Sequence, residues 1–119
     1  MPRSPLLTLL ILNDRHELAI TRLKGADDSF TLHYTITPAL PDSDSGTPLL
    51  PVLSAEDDLG NAYEDRGGAY GPSQDGTRTH GSLTAHPALA PGTTALRIRI
   101  TFLRNGQESA YDMTLGVHP

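Results

Sequence analysis

Eight of the fourteen carboxylates lie between Asp42 and Asp75, a stretch in which the sole cation is Arg66. Acids at that density could collect a cation or exchange protons with a substrate. Asp42-Ser43-Asp44-Ser45-Gly46 has the alternating oxygen ligands that open a calcium loop. Its glycine falls one place early, however, and the twelfth position, which should supply a bidentate Glu, is Leu53. A different oxygen-ligand set could be pooled from Asp57, Asp58, Asp65 and Asp75, although Asp, Ser and Gly are also what turns are made of. Glycoside hydrolysis requires only two acids a few ångströms apart, and Glu56, Asp57, Asp58, Glu64 and Asp65 contain such pairs. Acids flanking tight turns point to water, and a chain of 119 residues leaves little room for a deep pocket.

Histidine, serine and cysteine chemistry finds less support. The five histidines are scattered, and the two that could share a strand face, His80 and His86, would stand about 20 Å apart, too far for one zinc. Ser82 lacks the Gly-x-Ser-x-Gly elbow of a hydrolase nucleophile, and the chain has no cysteine to supply a thiolate or a disulfide. No cofactor is expected. Recognition chemistry remains. Tyr and Arg most often anchor protein interfaces, and Tyr63, Arg66, Tyr70 and Arg78 fall within one turn-rich stretch; the competing reading has Tyr63 closing the local hairpin core and Tyr70 covering its own loop. Four Tyr, two Phe and no Trp are too few for a carbohydrate platform or for stacking single-stranded bases.

Charge and hydropathy narrow the partners. A nucleic-acid binder needs a positive patch to displace counterions from phosphate, and this chain carries a formal net charge of −5. The apolar run at 5–12 is far shorter than a bilayer-spanning helix, and Asn13-Asp14-Arg15-His16 follows at once with no small-residue cleavage site. It reads as a buried strand, so no nucleic acid, no membrane insertion and a cytoplasmic location are expected.

The elements that must position these residues are strands. Period-two alternation recurs, whereas helical i, i+3, i+4 spacing never persists beyond a few residues. Strands are expected at 6–12, 17–24, 30–36, 49–55, 62–64, 81–86, 94–104 and 107–117. Irregular loops near 37–48 and 65–79 and a Pro/Gly corner at 87–93 connect them. Asn105-Gly106 favours a two-residue type I′ turn, which fixes the last pairing. Arg104 then faces Gln107, Ile100 faces Tyr111, Ile98 faces Met113 and Leu96 faces Leu115. On the opposite side Arg99 meets Asp112, a cross-strand pair worth a few tenths of a kcal/mol up to about 1 kcal/mol. A one-residue slip would set Ile100 against Asp112.

Seven or eight antiparallel strands, each with one apolar face, suit a single immunoglobulin-like β-sandwich over 1–119, with a closed barrel as the alternative. The segment Asp57-Asp58-Leu59-Gly60-Asn61-Ala62-Tyr63, then a Gly-rich loop and Pro91-Gly92-Thr93-Thr94-Ala95-Leu96-Arg97-Ile98, resembles uncharacterised Ig-like β-sandwich domains of high-GC bacteria. Those domains show a D-D-x-G-x-x-Y hairpin before a late, proline-led strand. The resemblance spans roughly the second half of the chain; it implies a fold and brings no catalytic residues. The expected function is a non-enzymatic interaction or assembly module for a protein partner, self or other, with 63–80 as the contact region. The run at 6–12, apolar on both faces, offers an edge strand for a homo-oligomer, which Leu9→Lys should disperse. The alternative is a calcium- or small-ligand-binding sandwich that uses the acidic loops at 42–75.

Overall fold

Alternation of apolar and polar residues produces the strands of the described chain. The computed structural model describes residues 6–39, 50–104 and 106–117. Among them there is no helix, hence none long and apolar enough to cross a membrane. The strands are β1 (Leu7–Ile11), β2 (His16–Gly25), β3 (Phe30–Thr37), β4 (Leu50–Asp57), β5 (Ala62–Pro72), β6 (Thr79–His86), β7 (Ala95–Arg104) and β8 (Gln107–Gly116). Every neighbouring pair is antiparallel, and the eight form one continuous sheet in the order β1-β2-β3-β6-β5-β4-β7-β8. The sheet curls until it is nearly closed. At the seam the backbone N–H of Leu12, just past β1, donates to the hydroxyl of Tyr111 on β8 at 2.6 Å.

Curling turns one face of the sheet onto a single core. Leu18 and Ile20 of β2, Phe30, Leu32, Tyr34 and Ile36 of β3, Leu83 and Ala85 of β6, and Leu96, Ile98, Ile100 and Phe102 of β7 are all buried there. The terminal hairpin pairs in the register that its Asn-Gly turn dictates, from Arg104↔Gln107 through Ile100↔Tyr111 to Leu96↔Leu115. Arg99 and Asp112 form a two-pronged ion pair on the outer face, at 2.7 and 3.1 Å. The class and strand count therefore agree with the sequence reading. Two separately hydrogen-bonded sheets do not appear. The ladders form a five-strand block, β1-β2-β3-β6-β5, and a three-strand block, β4-β7-β8. A ladder of three pairs, Ser54↔Glu64, Ala55↔Tyr63 and Glu56↔Ala62, joins them.

Two local expectations change, and a third falls outside the described residues. Residues 66–72, expected as loop because of their glycines, continue β5 alongside β6. The strand gets there through a bulge between Asp65 and Gly67, where Gly67 adopts a φ of +111° that other residues rarely take. Glycine is also what permits the close passage: a Cβ at Gly68 would collide with the carbonyl oxygen of Ser82. Second, Leu9 points inward against the core, and the outward apolar residues of the first run are Leu6 and Leu10, 52% and 55% exposed. Leu9→Lys would thus damage the fold rather than report on an interface. Third, the calcium-loop-like Asp42-Ser43-Asp44-Ser45-Gly46 and most of the loop expected at 37–48 lie outside the described residues.

Gly81 shows how tightly the core is packed. It sits between Tyr34 and Tyr70 in the pairing, and an added Cβ would lie 2.7 Å from the Tyr34 hydroxyl, from the Tyr70 Cβ and from the Ala69 carbonyl oxygen. Gly81→Ala should lower stability by about 1–3 kcal/mol through overpacking, seen as a lower urea midpoint with an unchanged slope. An unchanged midpoint would show that the two tyrosines yield without cost.

Candidate functional site

The acidic residues are best followed from Asp57 outward. Alternation along β4 turns Leu53, Ala55 and then Asp57 inward, which leaves a carboxylate only 2% exposed at the end of the core. A buried charge is tolerated only when its lone pairs are met by donors. Here Oδ1 accepts from the backbone N–H of Leu59 and of Asn61, each at 2.8 Å. Oδ2 accepts from Asn61 Nδ2 at 2.9 Å, from the Tyr63 hydroxyl at 2.7 Å and, at the long distance of 3.4 Å, from Thr93 Oγ1. Burial pushes the Asp57 pKa up, but the hydrogen bonds from Asn61, Tyr63 and Leu59 outweigh it and hold the carboxyl well below the usual range.

The other three acids of the calcium alternative sit in turns of their own. Asp58 accepts from Thr94 N at 3.0 Å and Thr94 Oγ1 at 2.7 Å, fastening the 58–61 turn to the start of β7. The Thr94 hydroxyl bond, first, and its backbone bond lower the Asp58 pKa. Asp65 accepts from Leu53 N at 2.7 Å and Gly67 N at 2.6 Å, clamping the β5 bulge. Asp75 Oδ1 accepts from Ser73 Oγ, Thr77 N and Thr77 Oγ1 at 2.6, 3.1 and 2.8 Å in the β5–β6 turn. The Ser73 hydroxyl, then Thr77, pull the Asp75 pKa down to about 2. The four carboxylates do not converge, and among the described residues no group of three His, Cys, Asp or Glu could hold a metal ion.

The interface set disperses as well. Tyr63 is 2% exposed; its hydroxyl donates to Asp57 and accepts from Ala90 N at 3.0 Å, and its ring meets Phe30 edge-on at 5.2 Å. It is a core residue, because β5 turns it inward beside Ala55. Tyr70 is half-buried and packs against the core. Arg66 is exposed and paired with Asp28 at 3.0 Å. Arg78 remains on the surface, and its neighbourhood was not foreseen. With Thr35, Ser73, Gln74, Asp75 and His80 it lines a depression of about 580 Å³. Thr35 and His80 come together because β3 and β6 pair in that register. Alternation alone places Arg78 and His80 on one side, but nothing local in the sequence announces Thr35. A second depression, of about 710 Å³, lies over the outer face of β4, β7 and β8, where the ion pairs Arg97–Glu56 and Arg99–Asp112 lie among its lining residues.

No family model matches the chain, and no curated protein matches it. Among solved structures, a DUF4426 family protein from Pseudomonas aeruginosa is similar over 95% of this chain and 97% of its own, with a TM-score of 0.54 and 6% sequence identity. At that identity the likeness concerns the fold.

Carboxylates held below their ordinary pKa stabilise the native state while they are ionised. Asp57, Asp58 and Asp75 belong to this class, as do Asp28 and Asp112, whose Arg66 and Arg99 partners lower them. As pH falls below the ordinary value of 3.8, the unfolded chain binds protons that the native chain refuses, and stability drains away. Thermal melts should be flat from pH 8 to about 5 and drop steeply below about 4, less steeply in Asp57→Asn. Tyr63→Phe leaves Ala90 N and one Asp57 lone pair unmet and should cost about 1–3 kcal/mol in urea unfolding. A wild-type midpoint in that variant would show that water replaces the hydroxyl.

Proposed function

We propose that the chain is a non-enzymatic interaction or assembly module, immunoglobulin-like in its two strand blocks, that acts in the cytoplasm through its edge strand β1. The contrast between the two sheet edges carries this reading. Edge strands present unpaired backbone groups, and proteins guard them with charge. The edge strand β8 is guarded: Glu108 and Asp112 are exposed along it. The edge strand β1 carries no charge; its outward residues are Thr8 and Leu10, with Leu6 just before it on the same face, and both leucines are more than half exposed. This edge is also symmetric about Thr8. In an antiparallel pair of two copies, Leu6 of one would face Leu10 of the other, and Thr8 would face Thr8, which is the self-complementarity that a two-fold interface demands. A second copy is therefore the partner that the edge fits. The stretch 63–80, which includes most of β5, has a smaller part in recognition, since Tyr63 and Tyr70 are committed to the core and Arg66 to Asp28.

Sedimentation velocity across a concentration series tests the reading. The wild type should shift from monomer to dimer, and Leu10→Lys should stay monomeric with its melting temperature within a few degrees, since Leu10 is 55% exposed. A wild type that remains monomeric at millimolar concentration, or a dimer indifferent to Leu10→Lys, removes it.

A further inference from the structure

The depression beside Arg78 is built from parts far apart in the chain, and those parts are held still. Thr35 comes from β3 and His80 from β6, directly opposite in the ladder; Gln74, Asp75 and Arg78 come from the connecting turn. That turn is cross-braced. Ser73 N donates to Arg78 O at 2.9 Å, Gly76 N to Ser73 O at 3.0 Å, and Asp75 Oδ1 takes the three bonds from Ser73 and Thr77. Gly76 supplies the positive φ, +72°, that closes it. A ligand here would meet a surface already ordered, which reduces the entropy lost on binding.

The two charges of the depression are left with capacity to bind. Among the described residues the guanidinium of Arg78 makes no hydrogen bond and no ion pair, and Asp75 Oδ2 accepts no hydrogen bond. Arg78 nevertheless stands close enough to help keep Asp75 ionised. The two face one opening without touching. A plain anion drawn to Arg78 would be repelled by Asp75, and a plain cation would meet the converse. A molecule carrying both charges satisfies both. Its carboxylate would meet the planar fork of Arg78, which binds carboxylates by two parallel bonds, and its ammonium would meet Asp75 Oδ2. The Thr35 hydroxyl, the Gln74 amide and the His80 imidazole add further hydrogen-bonding groups. The volume of about 580 Å³ admits a small molecule with room for a side chain.

We propose that this depression binds a small zwitterion, a free α-amino acid, with Arg78 receiving the carboxylate and Asp75 the ammonium. The site is separate from the β1 edge, so the two stand or fall apart.

The test is an amide-resolved NMR titration of the full chain with glycine, and with acetate and methylammonium chloride at equal ionic strength. Glycine should give saturable shifts confined to Thr35, Gln74, Asp75, Arg78 and His80, with a midpoint on the order of 1–10 mM. Acetate and methylammonium should each be weaker by about tenfold or more, one unit of 1.4 kcal/mol. Arg78→Ala should abolish the glycine shifts with the remaining spectrum unchanged. Asp75→Asn keeps a side-chain oxygen for Ser73 and Thr77 while it removes the charge, and it should abolish them too. Acetate binding as well as glycine would overturn the proposal in favour of a simple anion site. So would the absence of any saturable shift, or glycine shifts that survive in Arg78→Ala, which is decisive even if Asp75→Asn loosens the turn.

Discussion

A carboxylate that faces the core and stays charged is the constraint from which the rest of this fold follows. Asp57 ends β4 on its inner face, and its five hydrogen bonds come from the turn after β4, from β5 and from the corner before β7. Asn61, Tyr63 and Thr93, from three different segments, all bond the one carboxylate. Burying a charge without such partners would cost several kcal/mol, so the chain has few alternatives near this point. The bond from the Tyr63 hydroxyl links Asp57 of the three-strand block to β5 of the five-strand block, where the Tyr63 ring meets Phe30. One polar centre thus ties the two blocks together beside their short ladder.

The junction needs that help because it is short. Only three residue pairs connect β4 to β5 before β5 swings away to follow β6. Where the strand leaves, the Leu53 N–H would lose its partner, and the carboxylate of Asp65 takes its place at 2.7 Å. The same side chain accepts from Gly67 N and so holds the bulge that makes the departure possible. Asp57 and Asp65 therefore bracket the ladder, one at each end. Across the barrel the opposite problem arises. The turn after β1 runs through three successive residues with positive φ, Leu12, Asn13 and Asp14, and none is glycine. Such backbone persists only where its surroundings hold it, and the Tyr111 hydroxyl on Leu12 N supplies one restraint from the other edge of the sheet.

How much of this was legible depends on the range of the interaction. The β7–β8 hairpin could be read residue by residue, because its turn chemistry, its inward apolar pairs and the Arg99–Asp112 pair are all local and agree. The inward set of β3 was legible for the same reason, through clean alternation at Phe30, Leu32, Tyr34 and Ile36. β5 was not. Its glycines carry the same signal whether they form a loop or let a strand pass close to Ser82, and only the neighbouring strand decides. Asp57 was not legible either: an Asp beside a turn looks like surface, and what takes it inside is a set of partners that includes Tyr63 and Thr93. The sandwich reading met the same limit, since alternation gives a strand its inner face but not its neighbour.

The acidic stretch shows why composition is a poor guide to binding in such a fold. A local charge this negative suggests a cation site, yet Asp57, Asp58 and Asp65 each accept hydrogen bonds from backbone or side-chain donors near them in space. A carboxylate so engaged offers its lone pairs to the protein rather than to solvent, and the same bonds that lower its pKa keep it in its own turn. Groups open to solvent are then those that folding leaves over. Asp75 uses one oxygen to shape its turn and keeps the other, and Arg78 shapes the same turn with its backbone while its side chain stays unengaged. A rigid turn that leaves the Arg78 guanidinium and Asp75 Oδ2 unengaged among the described residues is a combination from which recognition can be built on an antiparallel sheet.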